Sequence, residues 1–290
     1  MKRAILCVYY VPVDMEWVFD LQLAQIRKCS EDYKIYAAFI KGSQRVLSVL
    51  QESSDITLCE VSAENDHPSK QHSMALTQLM NYAINDGVEA IYTLDVDSFP
   101  ISNSWMKQMY NSALQNNGVC AVHRLENGDK FLPHPSGCAV LAEFVKNNPF
   151  EFYPENIEIT GKMFIDETGQ RPDSGIGLGY VLWNGKKTWA QLERSNGRNL
   201  HYIMAGIYGN VIFHLGAGSR SPLFAKEVNE STKLRILKIL EKMPIVWRLY
   251  AFLKKRTEAS LVKRNSKIMS EIESQLKENP ECFFAYLSLD

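Results

Sequence analysis

The sequence predicts an α/β protein: a mainly parallel, Rossmann-like sheet with helices on both faces, followed by a helical C-terminal extension. Three observations predict it. Short β-branched runs alternate with longer amphipathic stretches through the first half of the chain. The fourth of these runs ends in two carboxylates, Asp95 and Asp97, one residue apart. From residue 231 onward the pattern is helical and strongly basic. Strand, helix, strand at this spacing implies right-handed crossovers and a sheet covered on both faces.

In chain order, residues 4–10 (AILCVYY) read as a first strand, and 14–28 as a helix with Val18, Leu21 and Ile26 on one face. Strands follow at 34–40 and 56–61. Residues 69–86 form a helix that buries Met74, Leu76, Leu79, Met80 and Ala83, and lead into a strand at 90–95 and a helix at 103–116. Strands are expected at 118–123, 137–144, 188–192 and 211–214, with a loop-rich stretch at 147–177 carrying Pro149, Pro154 and Pro172. The helical pattern from 231 to about 278 is interrupted by Pro244. Turn chemistry at 219–222 puts a boundary near 222–230, dividing the chain into 1–225 and 226–290.

Composition narrows the function. The chain has 290 residues, 46% apolar and 22% charged, which excludes disordered and fibrous classes. Thirty-two basic residues against 33 acidic ones provide no global field for nucleic acid. That balance hides an asymmetry: eleven basic and two acidic residues between Lys233 and Lys267 give the segment +9, leaving −10 for the rest of a chain whose total is −1. The six cysteines lie far apart with no C-x-x-C pair, which argues against zinc or a disulfide framework and for a reduced, cytoplasmic compartment. Residues 1–13 resemble a signal peptide only in having Lys2 and Arg3 before an apolar run. They lack a small-x-small cleavage site and meet Asp14 and Glu16 at once, as a buried strand would. No apolar stretch reaches the roughly 18 residues a membrane span needs.

The sharpest chemical feature is IYTLDVDSFP, residues 91–100. Strand ends in an open α/β sheet face the ligand crevice, and acids at i and i+2 project the same way. Two carboxylates there suit a hard divalent cation, Mn²⁺ or Mg²⁺; turn-forming acids are the plain alternative. A base for an acceptor hydroxyl is sought among Asp166, Glu167 and Asp173. Asp173 is favoured because RPDSGIGLGY, residues 171–180, opens a helix of small residues that would let an acceptor approach, although an N-cap would use the same residue.

These residues resemble the GT-A glycosyltransferases, closest to glycosyltransferase family 2. The resemblance covers about 1–220 and is carried by LDVDSFP, by the preceding helix HSMALTQLMNYAINDGVEAIYTLD, and by FHLG at 213–216. It implies a metal-dependent, inverting transfer of a sugar from a nucleoside-diphosphate sugar, UDP-linked above others, to a saccharide or lipid-linked saccharide. Asp95 would lie near the ribose and the metal, Asp97 and His214 would be metal ligands, and Asp173 would be the base. Tyr10 and Lys70 are expected to face the donor, and Arg220 its diphosphate. His72, beside Lys70 ahead of the D-x-D strand, either faces the donor too or, on the favoured reading, belongs to a polar helix start, and His123, His134 and His201 have no usable partner spacing. The first strand runs out as Tyr9-Tyr10-Val11-Pro12 where the family has Pro-x-x-Asn, and Lys41-Gly42-Ser43 stand in place of its paired acids.

The basic aromatic-rich helices at 233–267 suit either an anionic membrane surface, at the inner face of the plasma membrane, or the acidic body of the chain itself. Two other functions share parts of the pattern. A haloacid-dehalogenase-type phosphoryl transferase also uses D-x-D, but in its first strand and with Thr or Val where Phe99 stands. A non-enzymatic membrane-peripheral module on a degenerate nucleotide fold needs no chemistry from the acids.

Overall fold

The computed structural model describes residues 2–64, 67–216, 223–224, 227–228 and 244–289, with side chains in the last segment from 250 onward. In chain order the elements are β1 (Arg3–Tyr10), α1 (Glu16–Cys29), β2 (Tyr33–Lys41), α2 (Gln44–Glu52), β3 (Ile56–Leu58), α3 (Pro68–Asn85), β4 (Ala90–Asp95), β5 (Ser98–Pro100), α4 (Trp105–Gln115), β6 (Val119–Val122), β7 (His134–Leu141) and α5 (Ala142–Asn147). They continue as α6 (Ile157–Thr160), α7 (Lys162–Thr168), α8 (Ile176–Asn184), β8 (Ala190–Leu192), β9 (Gly206–Tyr208), β10 (Ile212–His214), α9 (Pro244–Glu278) and α10 (Pro280–Ser288).

Seven strands form the main sheet in the order β3-β2-β1-β4-β7-β6-β8. All its pairings are parallel except the two that β7 makes with β4 and β6. A small antiparallel sheet, β5-β10-β9, adjoins it. The alternation along β1 divides the core. Ile5, Cys7 and Tyr9 point to the face covered by α1 and α4, and Ala4, Leu6 and Val8 to the face covered by α3. Both faces are buried, so the parallel strands read as continuous apolar runs.

A third cluster fills the space beside the small sheet. Phe99 and Phe213 stack at 5.1 Å, and Ile272 and Leu276 of α9 with Phe283, Phe284 and Leu287 of α10 pack around them. The distal half of the C-terminal segment therefore contributes to the core. No helix among the described residues is long and apolar enough to cross a membrane.

The structure differs from the sequence reading in several places. α2 lies between the second and third strands, where no helix is expected. Its signal is short: Val46 and Leu50 are buried one turn apart, and Ser43 Oγ caps the helix by accepting from Val46 N at 3.3 Å. The strand expected at 137–144 starts earlier, at His134, and its end is α5. The loop-rich stretch at 147–177 contains α6 and α7, one and two turns long. α10 follows Pro280 as a further helix. The helical pattern expected at 231–243 lies outside the described residues. α9 is described from Pro244 to Glu278.

Candidate functional site

β4 runs out into a turn that carries the chain from the main sheet to the small one. Asp95 is the last residue of the strand; Val96 and Asp97 form the turn, and Ser98 opens β5. Strand alternation thus places Asp95 only. Asp97 is positioned by clamps on the turn's backbone. Gln22 of α1 donates from Nε2 to the carbonyls of Asp95 (2.5 Å) and Ser98 (2.9 Å), and Leu215 N donates to the carbonyl of Asp97 at 2.9 Å. Pairing of β5 with β10 sets Ser98 opposite His214, which brings the histidine beside the second acid.

One ligand atom from each of Asp95, Asp97 and His214 lies within 4.8 Å of the others. His214 Nε2 is 3.5 Å from Asp97 Oδ1, and His72 Nε2 is 3.3 Å from Asp95 Oδ1. His134, the first residue of β7, stacks its ring on His214 at 6.1 Å and sets Nδ1 4.0 Å from Asp95 Oδ2. That Nδ1 accepts from Ser136 N at 3.1 Å, so its proton is on Nε2 and it does not donate to the acid. Asp95 Oδ1 is buried and makes no hydrogen bond. Burial pushes the Asp95 carboxyl up and Asp97 adds to the rise, while His72, His214 and Arg124 counter it. Two carboxylates and an imidazole, with one buried oxygen lacking a hydrogen bond, fit a hard divalent cation.

Asp173 lies where α3, the 124–129 turn and the entry to α8 meet. Its Oδ1 accepts from Ser69 Oγ (2.9 Å) and Ser174 N (2.8 Å), and its Oδ2 from Arg124 Nη2 at 3.3 Å. Arg124 is buried and donates from Nε to Asp129 at 2.8 Å. Burial raises the Asp173 carboxyl, but Arg124's charge and these hydrogen bonds outweigh it, and the group sits below the usual carboxylate range. It is not the cap of α8: that position is Gly175, in the left-handed region at φ 93°. The small residues of α8 do not open space for an acceptor. A Cβ on Gly175 would lie 2.4 Å from Pro133 O, and one on Gly177 1.9 Å from Glu151 O, so these glycines admit neighbouring backbone.

The other expected residues are placed as follows. Lys70 is 3.8 Å from Glu158 and sits over the Tyr153 ring at 5.1 Å, on the Asp173 side of α3. Tyr10 is exposed and shares a small cleft with Pro12, Val96 and Asp97. Asp166 pairs with Lys162 on the outside of α7, and Glu167 is also exposed. Arg220 lies outside the described residues. His72, read from the sequence as a polar helix start or a donor-facing residue, joins the site, as do His134, Arg124 and Gln22, which the sequence does not single out as its members. They come from separate elements, and only the fold supplies the distances between them.

Parallel strands in the order β3-β2-β1-β4, an antiparallel β7 beside β4, and acids at the turn from β4 into a small second sheet decide the architecture. The chain has the GT-A fold.

No protein-family model matches this chain, and neither does any curated protein sequence. Solved structures match parts of it at low identity and low TM-score. S. aureus TarS, residues 1–349, matches with a TM-score of 0.39 and 12% identity over 54% of this chain and 51% of its own. The mannosyltransferase PcManGT of Pyrobaculum calidifontis, in complex with GDP-Man and Mn²⁺, matches with 0.39 and 12% over 53% and 48%. A protein from Desulfovibrio desulfuricans G20, described as a nucleotide-diphospho-sugar transferase, matches with 0.45 and 8% over 91% and 99%. The chain thus spans about half the length of TarS 1–349 and of PcManGT. At these TM-scores the fold rests on this chain's own strand order and on the position of its acids.

Proposed function

We propose that this chain is a metal-dependent glycosyltransferase. It would take a sugar from a nucleoside-diphosphate sugar, UDP-linked by preference, and pass it with inversion to a saccharide or lipid-linked saccharide at the cytoplasmic face of a membrane. The observation that carries the reading is the convergence of Asp95, Asp97 and His214 within 4.8 Å at the rim of the sheet. An ionised carboxylate, Asp173, joins the same constellation through Arg124 and α3.

Asp97 and His214, with Asp95, would hold Mn²⁺ or Mg²⁺. A bound cation supplies Lewis-acid neutralisation of the diphosphate as it departs. Asp173 takes the acceptor hydroxyl's proton while the acceptor oxygen bonds to the anomeric carbon. The bond from that carbon to the diphosphate oxygen breaks, and its electron pair leaves with the nucleotide. Asp173 is ionised near neutral pH, and Arg124, Ser69 and Ser174 orient it while lowering its basicity. Tyr10, in the cleft it shares with Asp97, is the proposed contact to the donor's nucleoside, and Lys70 and Arg220 to its charged groups.

A thermal-shift screen of UDP, GDP, CDP and CTP, each with and without Mn²⁺, tests the site. A ligand at a hundred times its dissociation constant adds about 2.7 kcal/mol. Stabilisation by a nucleoside diphosphate that needs Mn²⁺ supports the reading. Stabilisation by CTP alone would move it to nucleotidyl transfer, and no shift with any of them would leave a non-enzymatic module.

A further inference from the structure

α9 divides into a rooted half and a free half. From Asn265 onward it enters the core: Asn265, Ile272 and Leu276 are buried, with Ile268 and Met269 packed beside them. Glu227 is the root. Its carboxylate accepts from Asn265 Nδ2 at 2.6 Å, from His201 Nε2 at 3.1 Å, and from Arg264. N-terminal to that root, no side chain between 250 and 264 is buried. One face of this stretch, with Tyr250, Leu253, Thr257, Leu261 and Val262, is half-buried, while the opposite face stays exposed along about 22 Å of helix at 1.5 Å per residue.

The outer face of that free half has a definite chemistry. Phe252 is 62% exposed, and Lys255, Arg256, Lys263 and Lys267 are exposed around it. At 100° per residue the five lie within about a third of the helix circumference. The only acid between 250 and 267 is Glu258, which lies off that arc and pairs with Lys254 at 3.9 Å. None of the four cations on the arc has an ion-pair partner among the described residues. The rest of the chain outside 233–267 carries −10, yet the arc is not turned onto it. Cations grouped about an exposed aromatic, and aimed away from an acidic body, are complementary to another anionic surface. A single phenylalanine among lysines suits a headgroup layer, where the ring enters the acyl boundary and the ammonium groups meet phosphates. Binding of single-stranded nucleic acid would use a series of stacking rings.

We propose that the outer face of α9 between Phe252 and Lys267 docks the protein on an anionic lipid surface. This names the surface behind the peripheral-membrane part of the functional reading and needs none of the transfer chemistry. The root fixes the geometry. His201, bound to Glu227, begins the segment that leads to β9, where Ala205 N donates to Leu215 O at 3.0 Å beside His214. A docked α9 would therefore hold the Asp95–Asp97–His214 site in one orientation over the membrane.

The test is co-sedimentation of the full chain with phosphatidylcholine vesicles, plain or containing about 30 mol% phosphatidylglycerol, without donor or metal. The protein should pellet with the anionic vesicles alone, and release as salt approaches about 0.5 M shortens the screening length. Lys255→Glu/Arg256→Glu/Lys263→Glu should weaken the partition at least tenfold, about 1.4 kcal/mol. Phe252→Ser, which changes no charge, should weaken it severalfold. All these positions are exposed, so unchanged melting temperatures check that the variants are folded. The proposal is overturned if the wild-type chain stays in the supernatant, if the triple variant pellets as well as wild type, if Phe252→Ser makes no difference, or if single-stranded RNA at the same salt binds more tightly than the vesicles. Because no substrate is present, failure here leaves the glycosyltransferase reading standing, and the reverse also holds.

Discussion

Arg124 Nη2 lies 3.3 Å from Asp173 Oδ2, at the one carboxylate oxygen that Ser69 and Ser174 do not occupy. Because the guanidinium also holds Asp129, its position is set by two buried or half-buried acids at once. The pair links the acid assigned to proton removal with the acid at the end of β4, since Arg124's charge also acts on Asp95.

Arg124→Lys should keep a positive charge while losing the two-pronged geometry. Asp173 is held below its usual range, so its ionised form is favoured in the folded protein and persists as pH falls. Weaker pairing should move the acid limb of a kcat/KM profile to higher pH by about one unit, or 1.4 kcal/mol. Arg124→Met should cost about 3–5 kcal/mol of stability, because two acids then share a buried site with no cation. An acid limb unchanged in Arg124→Lys would separate Asp173 from the rate.

Asp97→Asn should weaken Mn²⁺ binding by at least the 10–100-fold that outer-shell losses typically cost. Removing a like charge that pushes Asp95 up should not lower the melting temperature of the metal-free protein. Calorimetric titration with Mn²⁺ and a melt of the metal-free variant measure the two effects. Equal Mn²⁺ affinity in variant and wild type would reject Asp97 as a ligand.

Gln22→Ala should cost roughly 1–3 kcal/mol in urea unfolding, because the carbonyls of Asp95 and Ser98 lose the amide that pins the turn. Mn²⁺ affinity should fall with it, since Asp97 is placed by that turn and not by the strand. Retained affinity would mean that the contacts from Leu215 and β10 suffice.

His201 predicts an acid-sensitive fold. Burial depresses its pKa against the opposing pull of Glu227, and its Nδ1 already accepts from Ile203 N (3.1 Å) and Met204 N (3.3 Å). The unfolded chain, with a histidine near 6.5, therefore binds the proton more readily than the native one. Stability from this group is present above pH about 6.5 and is lost as pH falls below it, at up to about 1.4 kcal/mol per pH unit. Urea melts at stepped pH should show that slope in the wild type and a shallower one in His201→Gln.

The strand-helix alternation, the acids ending the fourth strand and the basic C-terminal helix are all legible from residue spacing. Each depends on neighbours within one element: period two along β1, one-turn spacing along α3, a charge run along α9. The α2 helix escaped because only Val46 and Leu50 mark its buried side. α6 and α7 escaped because they are too short to show a period. The site is a different case. His72, Asp95, His134 and His214 come from α3, β4, β7 and β10, and Arg124 from a turn, so no window of sequence holds more than a fraction of them. Asp95 could be placed by strand alternation, whereas Asp97 needed Gln22 and Leu215 to aim it. By itself the sequence determined which elements form and that two carboxylates close a strand at the ligand edge of the sheet. Only the tertiary structure decided which histidines face those acids, that Arg124 holds Asp173, and that the glycines of α8 receive backbone. Local periodicity is written in neighbouring residues, but convergence depends on strand order and register, which bring distant parts of the chain within a few ångströms.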